Sequence, residues 1–600
     1  MFFTIFLINH TCQKWENPQI MKKTFLFAIS ATLMMTTQAF AIDANLSGVG
    51  GGVNVSGLDT NHAIVDTNRI HGSVGVTDWT KFNIGKGETV TNRFNAQNQH
   101  LLFRVIGDPT KINGTWNSAG VGAATGRTTL INPAGVMVGN GAVINLNALN
   151  ISTVDAVNKK AGNIRLEKGA KLDVNDLNVS GGAIYSAADL LGKSVKLSTK
   201  DGVNFEAIPG VEIGGVGKGD ILVGNSTYQT KDGTLVITSG NNLKFQNATI
   251  KNANANLSAK GDIVVEAGFI DDAGKVDYSM DKRAKFDNAN VKISSDNGNI
   301  YMNHIDNKNG SHLLIQSKTG SINSYNNVNS GRSTYTVDNK SGEIITQNFH
   351  NDGGVFSAKT ETGRQVVTNP DNNSISLMNI ISDSGDVYVE GMNNHEFSKV
   401  NISTGSAKGE KAPSVNIIGS KNAKLSQVDI TNKNGNVNIN QIKSNGALSV
   451  EGKTYVNIKN DSVLAGNTKL KGGEINVTKS VVSNLTSLEA EKNASFTDIK
   501  GNMNINAGSI LDFDSDVKVG ENLIIKTEDP TSKVDIINNN GKKSVVSVGK
   551  NLSIDAGHVK IKGNNINVEK NLNVNSKGLE VTDGVKVKGD TVLNGEILKK

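Results

Sequence analysis

The sequence contains only one cysteine, Cys12, and seven prolines among its 600 residues. A chain with a single cysteine cannot be locked by internal disulfide bonds in an oxidising compartment. Aromatic residues make up 5% of the chain, whereas glycine accounts for 64 residues and asparagine for roughly eighty, far above ordinary usage. With so few large side chains, we expect many thin cores in place of one large globular core.

Charges of one sign are not gathered into blocks. Lys and Arg total 62 and Asp and Glu total 56, which gives a formal net charge of +6 with both signs interspersed. This pattern indicates a solvated surface, with a weak attraction to anionic host glycans or lipids as the alternative, and it predicts no nucleic-acid partner. Beyond residue 41 no apolar run approaches the ~20 residues that a membrane-spanning helix needs, so we predict no transmembrane segment.

The N-terminal region has the features of an export signal. Residues 21–41 have a basic start, a largely apolar middle and, at Ala39 and Ala41, the A-x-A spacing of a cleavage site. We interpret this segment as a secretory signal peptide, so the mature chain is expected to begin at Ile42. Residues 1–20 are interpreted as a misassigned start, with an extended signal peptide as the alternative.

Short units of alternating apolar and polar residues recur in the C-terminal part of the chain. They start six or seven residues apart, at Leu552, Val559, Ile566, Leu572, Leu579 and Val585. Every third start is about twenty residues further on, which predicts a coil of three short strands with turn residues at its corners. Each strand is apolar on one side only and buries that side by stacking on the next coil. The sequence therefore predicts an all-β fold, a right-handed parallel β-helix (solenoid).

The same alternation extends upstream, and we predict a β-helix rod over residues 166–600. If the whole mature chain coils, about 25 turns are expected, each rising ~4.8 Å. Lys550-Asn551-Leu552 recurs as Lys570-Asn571-Leu572, and such stacked asparagines are expected to form side-chain amide ladders. The open ends of the solenoid are exposed sheet edges, which are expected to carry caps against aggregation.

Between Trp79 and Asp155 the sequence carries an ordered series of short motifs. They are Trp79-Thr80-Lys81-Phe82-Asn83-Ile84-Gly85, Phe103-Arg104-Val105, Ile112-Asn113-Gly114, Leu130-Ile131-Asn132-Pro133-Ala134-Gly135-Val136 and Leu149-Asn150-Ile151-Ser152-Thr153. The segment Asn132–Gly135 is predicted to form a tight turn between a strand ending at Ile131 and one starting at Val136. Proline presets φ for such a turn, and glycine is free to adopt a positive φ.

In this order the motifs resemble the N-terminal secretion domain of the filamentous haemagglutinin and high-molecular-weight adhesin family of two-partner secretion exoproteins. The family pattern is W-x-x-F-N-I, N-R-V, I-x-G, L-I-N-P-N-G-I/V and S-T. Here Phe103 stands in place of the Asn of N-R-V, Ala134 stands in place of the second Asn of N-P-N-G, and the N-P-N-L element of some subfamilies is absent. The resemblance implies a capping secretion domain over residues 42–165, or extending to about residue 300.

The resemblance also implies how the chain is exported. Members of the family cross the outer membrane unfolded, through a dedicated partner transporter whose periplasmic repeat modules engage the N-terminal domain, which we expect to occur by strand addition at an exposed edge. The implied secretion motif consists of Phe82, Asn83, Arg104, Asn113, Gly114, Asn132, Pro133, Ala134, Gly135 and Val136.

Motifs for catalysis or metal binding are incomplete. The nine histidines are scattered without the spacing of a zinc site, so neither a metal nor a cofactor is predicted. Gly192-Lys193-Ser194 lacks the earlier glycine of a phosphate loop, and Gly214–Asp220 is out of register for a calcium-binding nonapeptide. The alternating Asp512, Asp514 and Asp516 are the best hint of catalysis, since β-helix lyases and hydrolases group carboxylates in this way. Because no cation cluster completes a site, we predict that the protein is not an enzyme.

The sequence thus predicts an adhesin or haemagglutinin-like exoprotein, secreted or held at the cell surface of a Gram-negative bacterium, with a host glycan or protein as its unidentified receptor. Two alternatives remain. One is a haem-binding or other ligand-binding exoprotein of the same secretion family, and the other is a β-helix enzyme that degrades polysaccharide.

Overall fold

The chain folds as a parallel β-helix in which each coil contributes short strands to three faces. The computed structural model describes residues 42–68, 73–155, 160–199, 220–224, 227–267, 269–270, 276–277, 283–405, 412–507, 515–540 and 543–599. Sixty-two strands join in one continuous sheet, and no helix occurs in these ranges. The predicted parallel β-helix is thereby confirmed.

Face 1 is the stack of parallel strands that starts at His62. Its strands are His62–Asp66, Thr89–Arg93, Thr115–Ala119, Asp189–Leu190, Ala284–Asp287, Ile305–Lys308, Val328–Ser330, His350–Asp352, Asp371–Asn373, Asn393–Asn394, Lys421–Asn422, Lys443–Ser444, Val463–Leu464, Val481–Val482, Met503–Ala507, Lys533–Asn538, His558–Gly563 and Gly578–Val581.

Face 2 follows face 1 in each coil. Its strands are Val74–Phe82, His100–Val105, Arg127–Ile131, Ser194–Thr199, Asn290–Ser295, His312–Ser317, Thr334–Asn339, Val355–Thr360, Leu377–Ser382, Lys399–Thr404, Gln427–Asn432, Leu485–Ala490, Val517–Val519, Val546–Val548, Ile566–Val568 and Val585–Val587.

Face 3 completes the coil. Its strands are Thr110–Ile112, Val136–Val138, Asn163–Leu166, Ala183–Ser186, Ile221–Gly224, Leu243–Gln246, Ile263–Glu266, Ile300–Asn303, Ile322–Tyr325, Ile344–Gln347, Gln365–Thr368, Val387–Glu390, Ser414–Ile418, Asn436–Asn440, Ala494–Ile499, Leu523–Thr527, Leu552–Asp555, Leu572–Asn575 and Thr591–Leu593. Longer strands bend around a corner and belong to two faces: Val143–Ser152, Lys171–Gly181, Thr227–Ser239, Thr249–Ala259, Ala447–Lys459 and Thr468–Thr478.

The core is a narrow column of aliphatic side chains between the three faces. On face 2, Ile293, Ile315 and Val337 occupy the same register position in successive coils, and each is fully buried. Their outward neighbours remain partly exposed, as the period-two alternation predicts. Each strand therefore stabilises the coil before it and the coil after it, so stability is a sum of contacts between neighbours.

Asparagine ladders run along the solenoid, as the sequence predicts. On face 1 a buried ladder joins successive coils through side-chain amide hydrogen bonds of 2.8–2.9 Å, and it runs through Asn307, Asn329, Asn351, Asn372, Asn394, Asn422 and Ser444. Further along, Asn551 Nδ2 donates to Asn522 Oδ1 at 3.1 Å. Between the predicted pair Asn551 and Asn571 the bond differs from the expected amide–amide bond, because the backbone N–H of Asn571 donates to Asn551 Oδ1 at 3.3 Å. The face 1 ladder satisfies amide groups that would otherwise be costly to bury, except for Asn307 Oδ1 at its start, which has no hydrogen-bond partner among the described residues.

Antiparallel strands lie at both described ends of the solenoid. At the N-terminal end, Ala44–Gly50 pairs antiparallel with Val74–Phe82, and Asn54–Ser56 pairs with His62–Asp66. At the other end, Glu596–Lys599 folds back on the last strand of face 3. Two small antiparallel pairs lie outside the main sheet, formed by Val154–Asp155 with Lys160–Ala161 and by Phe269–Ile270 with Val276–Asp277. The predicted boundary at residue 165 lies within a strand of face 3, and the division into two domains stays a prediction.

Candidate functional site

The aromatic residues of the motif region form the core of the first coils. Phe82, Phe103, Trp79 and Trp116 are each at most 1% exposed. The ring centroids of Phe103 and Trp116 lie 5.3 Å apart, and Phe103 stacks on Trp79 at 6.1 Å with an interplanar angle of 4°. Phe103, which departs from the family pattern, therefore fills an inward position of its strand. Phe82 is likewise a core residue in the folded chain.

Asn83 joins the N-terminal cap to the coils that follow. Its Nδ2 donates to Asp43 Oδ2 at 2.9 Å, and its Oδ1 accepts the backbone N–H of Lys111 at 2.8 Å. Asp43 also forms an ion pair of 2.7 Å with Lys81. Asn83 therefore links the carboxylate of Asp43 in the cap to the backbone of the coil that contains Lys111.

Asn113 and Gly114 lie at the same corner, one coil further along, because Ile84 and Ile112 form a parallel bridge. The backbone N–H groups of Asn113 and Gly114 donate to Ile84 O at 2.7 and 3.1 Å. A Cβ atom on Gly114 would lie 2.2 Å from the carbonyl oxygen of Gly85. Only glycine fits this close approach of two coils, which gives the I-x-G motif a structural reason.

The segment from Asn132 to Gly135 forms the predicted tight turn, between strands Arg127–Ile131 and Val136–Val138. The backbone N–H of Gly135 donates to Asn132 O at 3.0 Å, and the N–H of Ala134 donates to Asn132 Oδ1 at 3.0 Å. Gly135 has a φ of 128°, and Val136 is buried. The turn predicted from proline and glycine is thus present.

Asn132 is fully buried and also ties this turn to the preceding coil. Its Nδ2 donates to Asp108 O at 2.9 Å and to Thr110 Oγ1 at 3.0 Å. On the other side, a Cβ atom on Gly162 would lie 2.6 Å from Pro133 O and from the backbone nitrogen of Gly135. The sequence offers no signal for the role of Gly162. Coil length varies, so no motif shows which residue of the next coil lies against the turn.

Only part of the predicted motif reaches the surface. The Arg104 guanidinium lies outward and pairs with Asp78 through hydrogen bonds of 2.6 and 2.8 Å. Pro133 and Ala134 are half-buried at the turn. Ile106, which sequence reasoning missed, is 77% exposed in the corner one coil before that turn. The motif therefore consists of buried residues that fix the corners and a few outward side chains that a partner protein can contact.

Asp43 gives the N-terminal cap a pH dependence. Partial burial acts to raise the pKa of this carboxyl, but hydrogen bonds from Lys81 and Asn83 and the charges of Lys81 and Lys111 outweigh it and leave the pKa lowered. A lowered pKa in the folded state contributes stability above the unfolded pKa of about 3.9, and this contribution is lost as pH falls through the folded pKa. We expect faster hydrogen exchange in strand Ala44–Gly50 below about pH 4. The Asp43→Asn variant should not show this acceleration of exchange at low pH. The same acceleration in the variant would contradict the role given to the Asp43 carboxyl.

Several predicted positions lie outside the described residues. They are the cleavage-site residues Ala39 and Ala41, residues 214–219 of the glycine-rich segment, and Asp512 and Asp514. Asp516 is described, and its carboxylate accepts the backbone N–H of Val545 at 2.8 Å and pairs with Lys518 at 2.5 Å. Gly192 is buried, and a Cβ there would lie 1.9 Å from Val174 O, so close packing of coils explains this glycine.

Within the described ranges, no group of three or more His, Cys, Asp or Glu side chains is arranged to hold a metal ion. The described part of the chain also contains no helix of the length and apolar character needed to cross a bilayer.

Comparison with known proteins gives structural similarity but no match at the level of sequence. No protein-family model and no curated protein matches the sequence. Among solved structures, the chain is similar to the crystal structure of the HMW1 secretion domain from Haemophilus influenzae, with 15% identity and a TM-score of 0.24. The match covers 73% of this chain and 98% of that chain. At this identity and TM-score the similarity identifies no family.

Proposed function

We propose that the protein is a two-partner secretion exoprotein that acts as an adhesin at or beyond the cell surface. The ordered motif series from Trp79 to Thr153, which follows a predicted signal peptide, carries this proposal. Export would proceed through a dedicated outer-membrane transporter with periplasmic repeat modules. A host glycan or protein would then bind along the outer faces of the solenoid.

One feature of the sequence and one of the fold support export as an unfolded chain. Cys12 is the only cysteine, so no internal disulfide can fix a folded state before export. Strand pairing is local, because each coil contacts its neighbours, and coils can therefore form one after another as the chain emerges. Folding outside the cell would favour outward movement without a nucleotide energy source.

The exposed and half-buried residues around the Asn132–Gly135 turn are the best candidates for transporter contact. Ile106 and Ala134 lie at the same corner of successive coils, because Asn132 and Gly135 hydrogen-bond to the segment Asp108–Thr110. Arg104 lies two residues before Ile106, on the outward side of its strand. Ile106 and Ala134 offer apolar contacts, and Arg104 offers a cationic contact, on one short stretch of surface.

A truncation tests the proposed division of roles. We expect a fragment ending at Asn303, the last residue of a face 3 strand, to reach the medium at a level within about twofold of the full chain, since removing outer coils leaves the inner contacts intact. The fragment and the full chain are co-expressed with the partner transporter, and the medium and periplasm are assayed separately. Retention of the fragment in the periplasm would contradict a secretion role confined to the N-terminal coils.

We also propose that the protein has no lyase or hydrolase activity. Asp516 already pairs with Lys518 and with the backbone of Val545, so it is not held as a free carboxylate facing a substrate. No turnover of a pectin-like polysaccharide is expected from the purified chain. Turnover that disappears in the Asp514→Ala variant would instead establish the polysaccharide-degrading alternative.

A further inference from the structure

Three large apolar side chains protrude from one corner of the solenoid in three successive coils. Ile375, Phe397 and Leu425 are 80%, 60% and 62% exposed. They occupy equivalent positions, because the residues two places later, Leu377, Lys399 and Gln427, pair with one another in register. We call these three residues the apolar ridge.

The backbone conformation of the ridge is unfavourable for the residues that occupy it. Ile375, Phe397 and Leu425 have φ values of 62°, 62° and 66°, in the left-handed region that bulky and β-branched side chains rarely adopt. At the same corner in earlier coils, Gly310 and Gly353 have φ values of 79° and 68°. The corner therefore suits glycine. A strained backbone that holds large apolar side chains in solvent motivates a functional hypothesis for those side chains.

Basic side chains flank the ridge at both ends. Arg332 occupies the equivalent corner position two coils before Ile375 and is exposed. At the other end, Lys421 and Lys424 lie in the coil of Leu425, are exposed, and form no ion pair with any described residue. Lys421 stacks directly on Lys443 in the next coil, a pairing of like charges that destabilises a bare surface but favours an anionic partner.

We propose that the apolar ridge and its flanking cations bind an anionic lipid surface. The ridge is convex, since its side chains project from turns, and it spans three coils spaced ~4.8 Å apart. Protruding apolar side chains of this size enter the boundary between lipid headgroups and acyl chains, while Arg and Lys contact anionic headgroups. Lipid accommodates such a ridge without a matching groove, whereas a protein partner must supply one. The ridge is distinct from the N-terminal coils, so the proposal does not depend on the secretion assignment.

Acidic groups near this surface include Glu396, Asp371 and Asp352, which pairs in register with Asn373. Asp371 accepts hydrogen bonds from His350 Nδ1 at 2.9 Å and from His395 Nε2 at 2.7 Å, so both of its carboxylate oxygens are occupied. Glu396 is exposed beside Phe397 and repels anionic lipid. The Glu396→Gln variant should therefore bind more tightly than the wild-type chain.

Sedimentation with vesicles tests the proposal on the purified full chain. The wild-type chain should bind vesicles of phosphatidylcholine mixed with phosphatidylglycerol and bind pure phosphatidylcholine more weakly. The triple variant Ile375→Asn, Phe397→Asn, Leu425→Asn should bind at least about tenfold more weakly. Because asparagine tolerates a positive φ, its melting temperature should equal or exceed that of the wild type, which separates lost binding from misfolding. Val121→Asn, at a distant site that is 80% exposed, is the matched control and should bind like the wild type.

The charge contribution is tested separately. The double variant Lys421→Gln, Lys424→Gln should lose roughly fivefold in binding per lysine, with a weaker dependence on salt. Absence of vesicle binding by the wild type, or unchanged binding by the triple variant, would overturn the proposal. A wild-type dimer in analytical ultracentrifugation that the triple variant dissolves, without any vesicle binding, would overturn it in favour of a second copy of the chain on the ridge.

Discussion

Replacing Asn351 with leucine is expected to destabilise the middle of the solenoid by about 3 kcal/mol. Asn351 is fully buried, and its two Nδ2 hydrogens are shared among Asn372 Oδ1 at 2.9 Å and the carbonyl oxygens of Gly354 and Leu377 at 3.1 Å. It also accepts a hydrogen bond of 2.9 Å from Asn329. Leucine has a similar volume but cannot form any of these bonds, so the amides on either side lose a partner inside a space that water does not reach.

The effect should be local, because each coil contacts only its neighbours. Peptide-resolved hydrogen exchange should show faster exchange in the coils that contain Asn329, Asn351 and Asn372, with little change near Asn551. The matched control is Asn438→Leu, since Asn438 belongs to a half-exposed ladder in which it bonds to Asn416 and Asn457 at 3.0 and 2.9 Å. Water can replace those partners, so we expect a loss below about 1 kcal/mol. Equal effects of the two substitutions would contradict the role given to the buried ladder.

The repeat was predictable because its signal is local and recurs. The alternating units that start at Leu552 and Val559 pair in register with those that start at Leu572 and Leu579. The unit at Ile566 pairs with the one at Val585 in the same way. Period-two alternation gives the inward and outward sides of each strand, and turn residues give the corners.

Coil length could not be predicted in the same way. Ile293 and Ile315 are one coil apart, yet Leu257 reaches its partner Ile293 only after a long insertion that includes the pair Phe269–Ile270 and Val276–Asp277. An insertion at a corner leaves the stacking of the strands unchanged, and its entropic cost grows only slowly with length. The sequence therefore carries little constraint on such insertions.

The buried ladder on face 1 also could not be predicted from the sequence, although stacked asparagines were expected elsewhere. Asn307 and Asn329 occupy inward positions where alternation alone predicts an apolar residue. A buried amide is favourable here only because the next coil supplies its partner, and that depends on register along the whole stack. The same holds for the candidate site. The turn at Asn132 could be predicted from its own residues, whereas its contact with Gly162 could not.

Replacing Gly162 with alanine is expected to reduce export by at least about tenfold. The added methyl group would clash with backbone atoms, and no change of rotamer can relieve such a clash. The N-terminal coils would then fold poorly, and the outward movement that their folding favours would be lost. The added Cβ would lie 2.6 Å from Pro133 O and from the nitrogen of Gly135. The turn would have to shift, and the hydrogen bonds of Asn132 to Asp108 and Thr110 would break. The matched control is Gly48→Ala, where the new Cβ would make only ordinary contacts of 3.7–3.8 Å with Asp78 and export should stay at the wild-type level.

A second pair of variants separates folding of the turn from recognition by the transporter. Ala134→Lys and Ile106→Lys change outward side chains and leave the buried hydrogen bonds in place, so the N-terminal coils should keep their protection from hydrogen exchange. If the transporter contacts this corner, both variants should accumulate in the periplasm, with export reduced several-fold. Gly162→Ala should instead lose protection and export together. Normal export of both lysine variants, alongside loss of export in Gly162→Ala, would mean that this corner matters only because it must fold, and that the transporter binds elsewhere on the N-terminal coils.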